Sequence, residues 1–229
     1  MKVFLKGGFF MLWKPPKVKE EDILHYLGSQ MMDELLHKQV EEMMTLLNQD
    51  VRCQVIYRTL PLENHQCRYI KLQGKSIQAL LKESHAVIIM AATLGIKTDR
   101  HLRALEISDM GKAYVYNACA NAMIEAVCDD VNEQLRRQYA KRQAFLTDRF
   151  SCGYGDLPVS TQKTFLQVVD AERKIGLHVS ESCMLVPEKS VTAIIGIAKT
   201  VQPAIVRGCR VCALKEHCEY RKGGTVCER

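Results

Sequence analysis

The stretch from Asp109 to Arg142, DMGKAYVYNACANAMIEAVCDDVNEQLRRQYAKR, carries the longest periodic pattern in the chain. Ala113, Tyr116, Ala120, Met123, Ile124, Val127, Val131 and Leu135 recur at steps of three or four, which places them on one face of an α-helix. Asp109 carries the side-chain oxygen that an N-cap needs. A helix this long has to cross a core. The small residues Ala118, Ala120, Ala122 and Ala126 predict a face that other backbone approaches closely.

Upstream of it, Ala86 to Ala92 reads as a buried strand ending at Gly95, preceded by a short helix capped by Ser76 with Ile77, Leu80 and Leu81 inward. Residues 53–58 (CQVIYR) and 68–73 (RYIKLQ) have the alternation and β-branched content of two strands, expected to pair or share a sheet across a turn at Pro61 and Asn64. The first helical region starts near Glu20, breaks at Gly28, and turns Ile23, Leu24, Leu27, Met31, Leu35, Val40, Met43, Met44 and Leu47 inward. Downstream, a helix begins at Ser160 or Thr161, buries Phe165, Val168, Val169 and Ile175, and stops at Gly176. Residues 177–185 and 190–198 read as strands on either side of Pro187. Helices and strands mix without strict βαβ alternation, so the fold class is α+β, with mixed helices around a twisted antiparallel sheet. The organisation expected is a poorly ordered N-terminal extension (1–18), a folded domain (19–203) and a cysteine-rich tail (204–229).

Bulk properties narrow the function classes. The 229 residues are 47% hydrophobic and 25% charged, a globular composition. No apolar run reaches the roughly 18 residues that a membrane span needs. The net charge of +6 is spread along the chain, and Arg136, Arg137, Lys141 and Arg142 lie beside acids on the long helix, as on a solvated face. With 7% aromatics and no interleaved basic stripe, nucleic acid is not an expected partner. Ten cysteines without a secretion signal point to a reducing compartment, the cytoplasm, where thiols ligate metals or pack in cores.

Between two of the helices, Arg149-Phe150-Ser151-Cys152-Gly153-Tyr154-Gly155-Asp156-Leu157-Pro158 forms a turn-rich segment. An arginine fork grips a carboxylate, glycines let a ligand reach the main chain, and a tyrosine covers a flat base. The same composition also suits a plain connecting loop, and spacing alone does not separate the two readings.

Arg149, Gly153 and Tyr154 match the Arg-x-x-x-Gly-Tyr sequence of the activation domain of vitamin B12-dependent methionine synthase, which the chain resembles over roughly residues 109–197. Ala122-Met123-Ile124-Glu125-Ala126 through Val131 and Leu135-Arg136 is similar to that family's long helix with its internal glutamate. Gln162, the run Glu172 to Leu177, Ser180-Glu181-Ser182, Met184, Pro187 and Ser190-Val191 follow in the family's order. The resemblance implies that S-adenosylmethionine binds here, with Arg149 on its carboxylate, the backbone of Ser151, Cys152 and Gly153 on the adenosine, and Tyr154 lining the pocket. Glu125 would face the sulfonium or the amino group, or else be an ordinary helix-surface charge. Glu181 would join the site, or pair with a nearby lysine at a strand edge. Cys152 stands where well-known members have proline, which leaves the loop less rigid. The chain has no Asp-x-His-x-x-Gly sequence to supply a histidine to cobalt. The resemblance therefore implies a separate activation domain whose cobalamin is carried by a partner, a methionine synthase or another corrinoid protein, with a flavodoxin or ferredoxin-type reductant.

The tail carries Cys209-x2-Cys212-x5-Cys218-x8-Cys227. Four thiolates suit tetrahedral zinc or a 4Fe-4S cluster, either of which would staple so short a segment, and His217 could replace one ligand. A cluster would make the chain a reductive activator, and zinc would make the tail structural. Cys53, Cys67, Cys119, Cys128 and Cys183 lie in or beside apolar segments and read as packing residues. A non-catalytic accessory protein that only docks to its partner is the third reading.

Overall fold

The computed structural model describes residues 9–63 and 67–202. The chain opens with strand β1 (Phe9–Leu12), helices α1 (Glu20–Leu27) and α2 (Glu34–Asp50), strand β2 (Gln54–Pro61) and helix α3 (Lys75–Leu80). Strand β3 (Ser84–Thr93), helix α4 (Ile96–Ser108) and the long helix α5 (Met110–Ala140) follow. Two short strands, β4 (Phe145–Leu146) and β5 (Phe150–Ser151), lead to helices α6 (Thr161–Val169) and α7 (Ala171–Ile175). The described chain closes with strands β6 (His178–Val179), β7 (Leu185–Val186) and β8 (Ser190–Ala198).

One six-stranded sheet runs β1-β2-β3-β8-β4, with β5 also on β8, and every pairing in it is antiparallel. The α+β reading therefore holds. β3 and β8 lie at its centre and alternate strictly between two cores. Ile88, Met90, Ala92, Ala193, Ile195 and Ile197 join the core shared with α1, α2, α4 and α5. Val87, Ile89, Ala91 and Ile194 join the core under α3, α6 and α7. With both faces covered, these strands read as continuous apolar runs.

Asp109 caps α5 as its side chain predicts, accepting from the Lys112 amide at 3.0 Å. The helix then buries side chains from Ala113 to Leu135. Each large aliphatic one contributes about 1.5–3 kcal/mol of transfer free energy, so packing outweighs intrinsic helix propensity in holding it. Gly28 and Gly176 terminate α1 and α7, where the sequence places helix ends.

Several expectations need correction. Residues 68–73 are not a strand: Ile70 N–H closes a turn on Cys67 O at 3.1 Å, and both edges of β2 are already taken by β1 and β3. Cys67 and Ile70 are buried three apart, a spacing that suits a turn. Residues 177–185 are not one strand: His178–Val179 and Leu185–Val186 pair as a tight hairpin, β6 and β7, around Ser180 to Cys183. Part of the supposed N-terminal extension, Phe9–Leu12, pairs with β2 as an edge strand. Helix α4, unanticipated, is charge-rich and buries only Thr98, Asp99 and Leu102. The helix after Ser160 is two helices, divided at Asp170, whose backbone is left-handed. Ser76 lies inside α3, and the carboxylate on the α3 amides belongs to Asp156.

Gly196 on β8 sits where a Cβ would meet Ser84 Oγ and come within 2.9 Å of Leu81 Cδ2 and Thr147 Cγ2. Gly196→Ala is expected to cost about 1–3 kcal/mol by overpacking. A lower urea midpoint with an unchanged m-value would show it.

Candidate functional site

The segment from β4 to β5 runs antiparallel beside β8, but not in uniform register. Leu146 faces Ile197 and Phe150 faces Ile194, so four steps on one strand match three on the other. The extra residue is a bulge at Asp148–Arg149, the kind of irregularity that re-aims side chains. Phe150 points into the core under α3 and α6. Asp148 and Arg149 point toward α5, where Arg136 Nη2 donates to Asp148 Oδ1 at 2.9 Å.

Arg149 Nη2 donates to Glu125 Oε2 at 3.1 Å and to Asp129 Oδ1 at 2.6 Å, the two acids one helical turn apart on α5. Its side chain is 5% exposed, against 38% for Glu125 and 53% for Asp129. The guanidinium is thus the buried partner, and Arg149 Nε is buried without a hydrogen-bond partner. Tyr26, from α1, adjoins the same group: burial first, then the charges of Glu125 and Asp129, push its hydroxyl up to about 12, so it stays a neutral donor. The sequence singles out Arg149 and Glu125 as candidates, and the structure pairs them with each other. It does not single out Asp129 and Tyr26, although Asp129 lies four residues after Glu125 and so on the same helix face.

Beyond β5 the chain closes on itself. Tyr154 N–H donates to Ser151 O at 3.2 Å, Gly153 N–H to Leu157 O at 2.9 Å, and Leu157 N–H to Tyr154 O at 3.2 Å. Phe150 and Leu157 are buried at its two ends. Tyr154 is 41% exposed and packs edge-on against Phe150, with ring centroids 5.5 Å apart. Burial pushes the Cys152 thiol up to about 12 despite its bond to Thr192, so at neutral pH it is a thiol and not a nucleophile.

Gln162, on α6, ties three segments together. Its amide nitrogen donates to Cys183 O in the β6–β7 hairpin, and its oxygen accepts from Thr192 Oγ1 at 3.5 Å on β8. Through Thr192 the hairpin meets Cys152. Glu181 is exposed in that hairpin turn and forms no ion pair among the described residues. On the neighbouring turns of α5, Asn117 and Asn121 accept from the buried Lys189 amine, at 3.0 Å for Asn121, and burial lowers that amine's pKa. Cys209, Cys212, Cys218 and Cys227 lie outside the described residues, and no cluster of three or more metal-ligating side chains occurs among those described. No described helix is long and apolar enough to cross a membrane.

The family model described as vitamin B12 dependent methionine synthase, activation domain, matches residues 8–203. Among solved structures, the crystal structure of the MetH reactivation domain bound to AdoHcy is similar, with a TM-score of 0.63 and 13% identity. That match covers 96% of this chain and 86% of the other, and at this identity it speaks for the fold alone. No curated protein matches.

Removing the guanidinium leaves Glu125 and Asp129 without their shared counter-charge. Arg149→Ala is expected to cost about 1–3 kcal/mol, since the two acids are partly solvated. Adding Asp129→Asn to it should restore part of the loss in urea denaturation, giving a coupling that separate additive effects would not produce.

Proposed function

Because the chain belongs to the vitamin B12-dependent methionine synthase activation domain family, which matches residues 8–203, we propose that it binds S-adenosylmethionine and supports reductive methylation of cob(II)alamin. The cobalamin is carried by a separate methionine synthase or another corrinoid protein. The observation that carries this reading is the family match, and it is supported by Arg149 held between two carboxylates of α5 just before the compact turn that carries Gly153 and Tyr154.

An external reductant of flavodoxin or ferredoxin type reduces the corrinoid, and methyl transfer from the sulfonium then traps the reduced state. The corrinoid supplies the nucleophile, so this chain needs no general base. Its work is placement and charge selection. Arg149 is shared by Glu125 and Asp129, so a ligand carboxylate on it would compete with both. One arginine and two carboxylates leave the cluster net negative. That favours the cationic sulfonium over the neutral thioether of the demethylated product. Tyr26 adds a neutral donor, and Tyr154 offers a ring at the exposed edge. In this reading Ser151, Cys152 and Gly153 give the adenosine its backbone contacts, and Glu181, exposed in the β6–β7 hairpin, is the further acidic group.

Calorimetric titration with S-adenosylmethionine and with S-adenosylhomocysteine tests this. Saturable binding is expected in the wild type and is lost in folded Arg149→Ala. Glu125→Gln should weaken the sulfonium ligand about two- to fivefold more than the product, a screened single-charge effect. No binding by folded wild type sinks the proposal.

A second reading is favoured by the spacing of Cys209, Cys212, Cys218 and Cys227. We propose that this tail holds a metal, and a 4Fe-4S cluster there would let the chain deliver the electron itself. Anaerobic purification followed by iron, sulfide and zinc analysis decides it. Four iron and four sulfide per chain support the redox role, one zinc supports a structural staple, and neither removes the reading.

A further inference from the structure

We infer that Asp156 is the positioning residue for the turn between Phe150 and Leu157 that carries Gly153 and Tyr154, which it holds in place by capping α3 from a distant part of the chain. This rests on the ligand-binding reading above.

Helix α3 begins at Gly74, which has no side chain to receive the amides of its first turn. Asp156, some eighty residues later, supplies both oxygens. Oδ2 accepts from the Lys75 amide, and the Ser76 amide donates to Oδ1 at 3.1 Å and to Oδ2 at 3.3 Å. The Ser76 hydroxyl bonds to the same carboxylate. The carboxylate is therefore committed to α3, and it has no donor of its own to offer a ligand.

Both sides of the contact depend on glycine. At Gly74, with φ 130°, a Cβ would lie 2.8 Å from Asp156 Cγ and 3.0 Å from its carbonyl oxygen. At Gly155, with φ 56°, a Cβ would lie 3.1 Å from Ser76 Oγ and 3.3 Å from Phe150 Cζ. The backbones approach this closely because neither carries a side chain.

Phe150 and Leu157 fix the ends of the turn by burial, while Gly153, Tyr154, Gly155 and Asp156 are all exposed. Between the two buried anchors, the Asp156 contact ties the turn to α3. Without it, the turn would keep its internal hydrogen bonds and the Tyr154–Phe150 contact but lose its anchor on α3, and a ligand would have to order it further, at a cost in affinity.

Two variants break the contact from opposite sides: Asp156→Ala removes the acceptor, and Gly74→Ala crowds it without touching the turn. Amide hydrogen exchange over residues 150–158 and calorimetric titration with S-adenosylmethionine are measured on both, on Asp156→Asn, and on Asp109→Ala as a control destabilised at the far end of α5. In Asp156→Ala and Gly74→Ala, faster exchange in the turn and about tenfold weaker binding are expected, roughly the worth of one charge-assisted hydrogen bond. Asp156→Asn, which keeps one acceptor oxygen, should recover part of both, and Asp109→Ala should change neither. Unchanged exchange in Asp156→Ala overturns the inference, as does faster exchange with wild-type affinity. If the wild type does not bind S-adenosylmethionine, the ligand reading falls, while exchange still decides whether Asp156 orders the turn.

Discussion

The β3–β8 pair is the constraint on which the rest of the structure depends. Helices cover both faces of the sheet, so each residue beside β8 is committed to one of two cores, and a shift of one position exchanges them. Arg149 escapes that rule through the single extra residue between Leu146 and Phe150. Perfect register would spend Asp148 and Arg149 on opposite faces. The bulge sends both toward α5 and still leaves Phe150 buried.

Helix α5 answers with a polar seam along an otherwise apolar body. Tyr114 donates to Leu27 O, Asn117 and Asn121 hold Lys189, and Glu125 and Asp129 hold Arg149. From Tyr114 to Asp129 the seam extends about 22 Å along the axis. It is bordered by α1 on one side and by the chain flanking β8 on the other. The two buried cations come from different segments along β8, Lys189 just before its first residue and Arg149 from the bulge between β4 and β5 beside its middle. Their spacing along α5 follows from the helix repeat.

Much of this was legible in the sequence, for local reasons. The α5 pattern was readable because the apolar steps and the Asp109 cap both lie within the helix itself. Helix α4 was not, because three buried residues make too narrow a stripe among its charges. Residues 68–73 looked like a strand by composition, and only the occupied edges of β2 show why they are not. At the candidate site, the Arg149 to Tyr154 motif stands out through the resemblance, since its spacing alone suits a plain loop equally well. Its long-range partners could not, since Tyr26, Asp129 and the α3 amides reach it only through the finished fold.

Those partners come from α1, α3 and α5, with no one segment holding enough of them to make a partial site. Occupancy would thus report on the state of the whole domain. A ligand that bound here would favour the native state over every partly unfolded form in proportion to its concentration above the dissociation constant. Starvation for that ligand would then leave the chain not only idle but also less resistant to proteolysis.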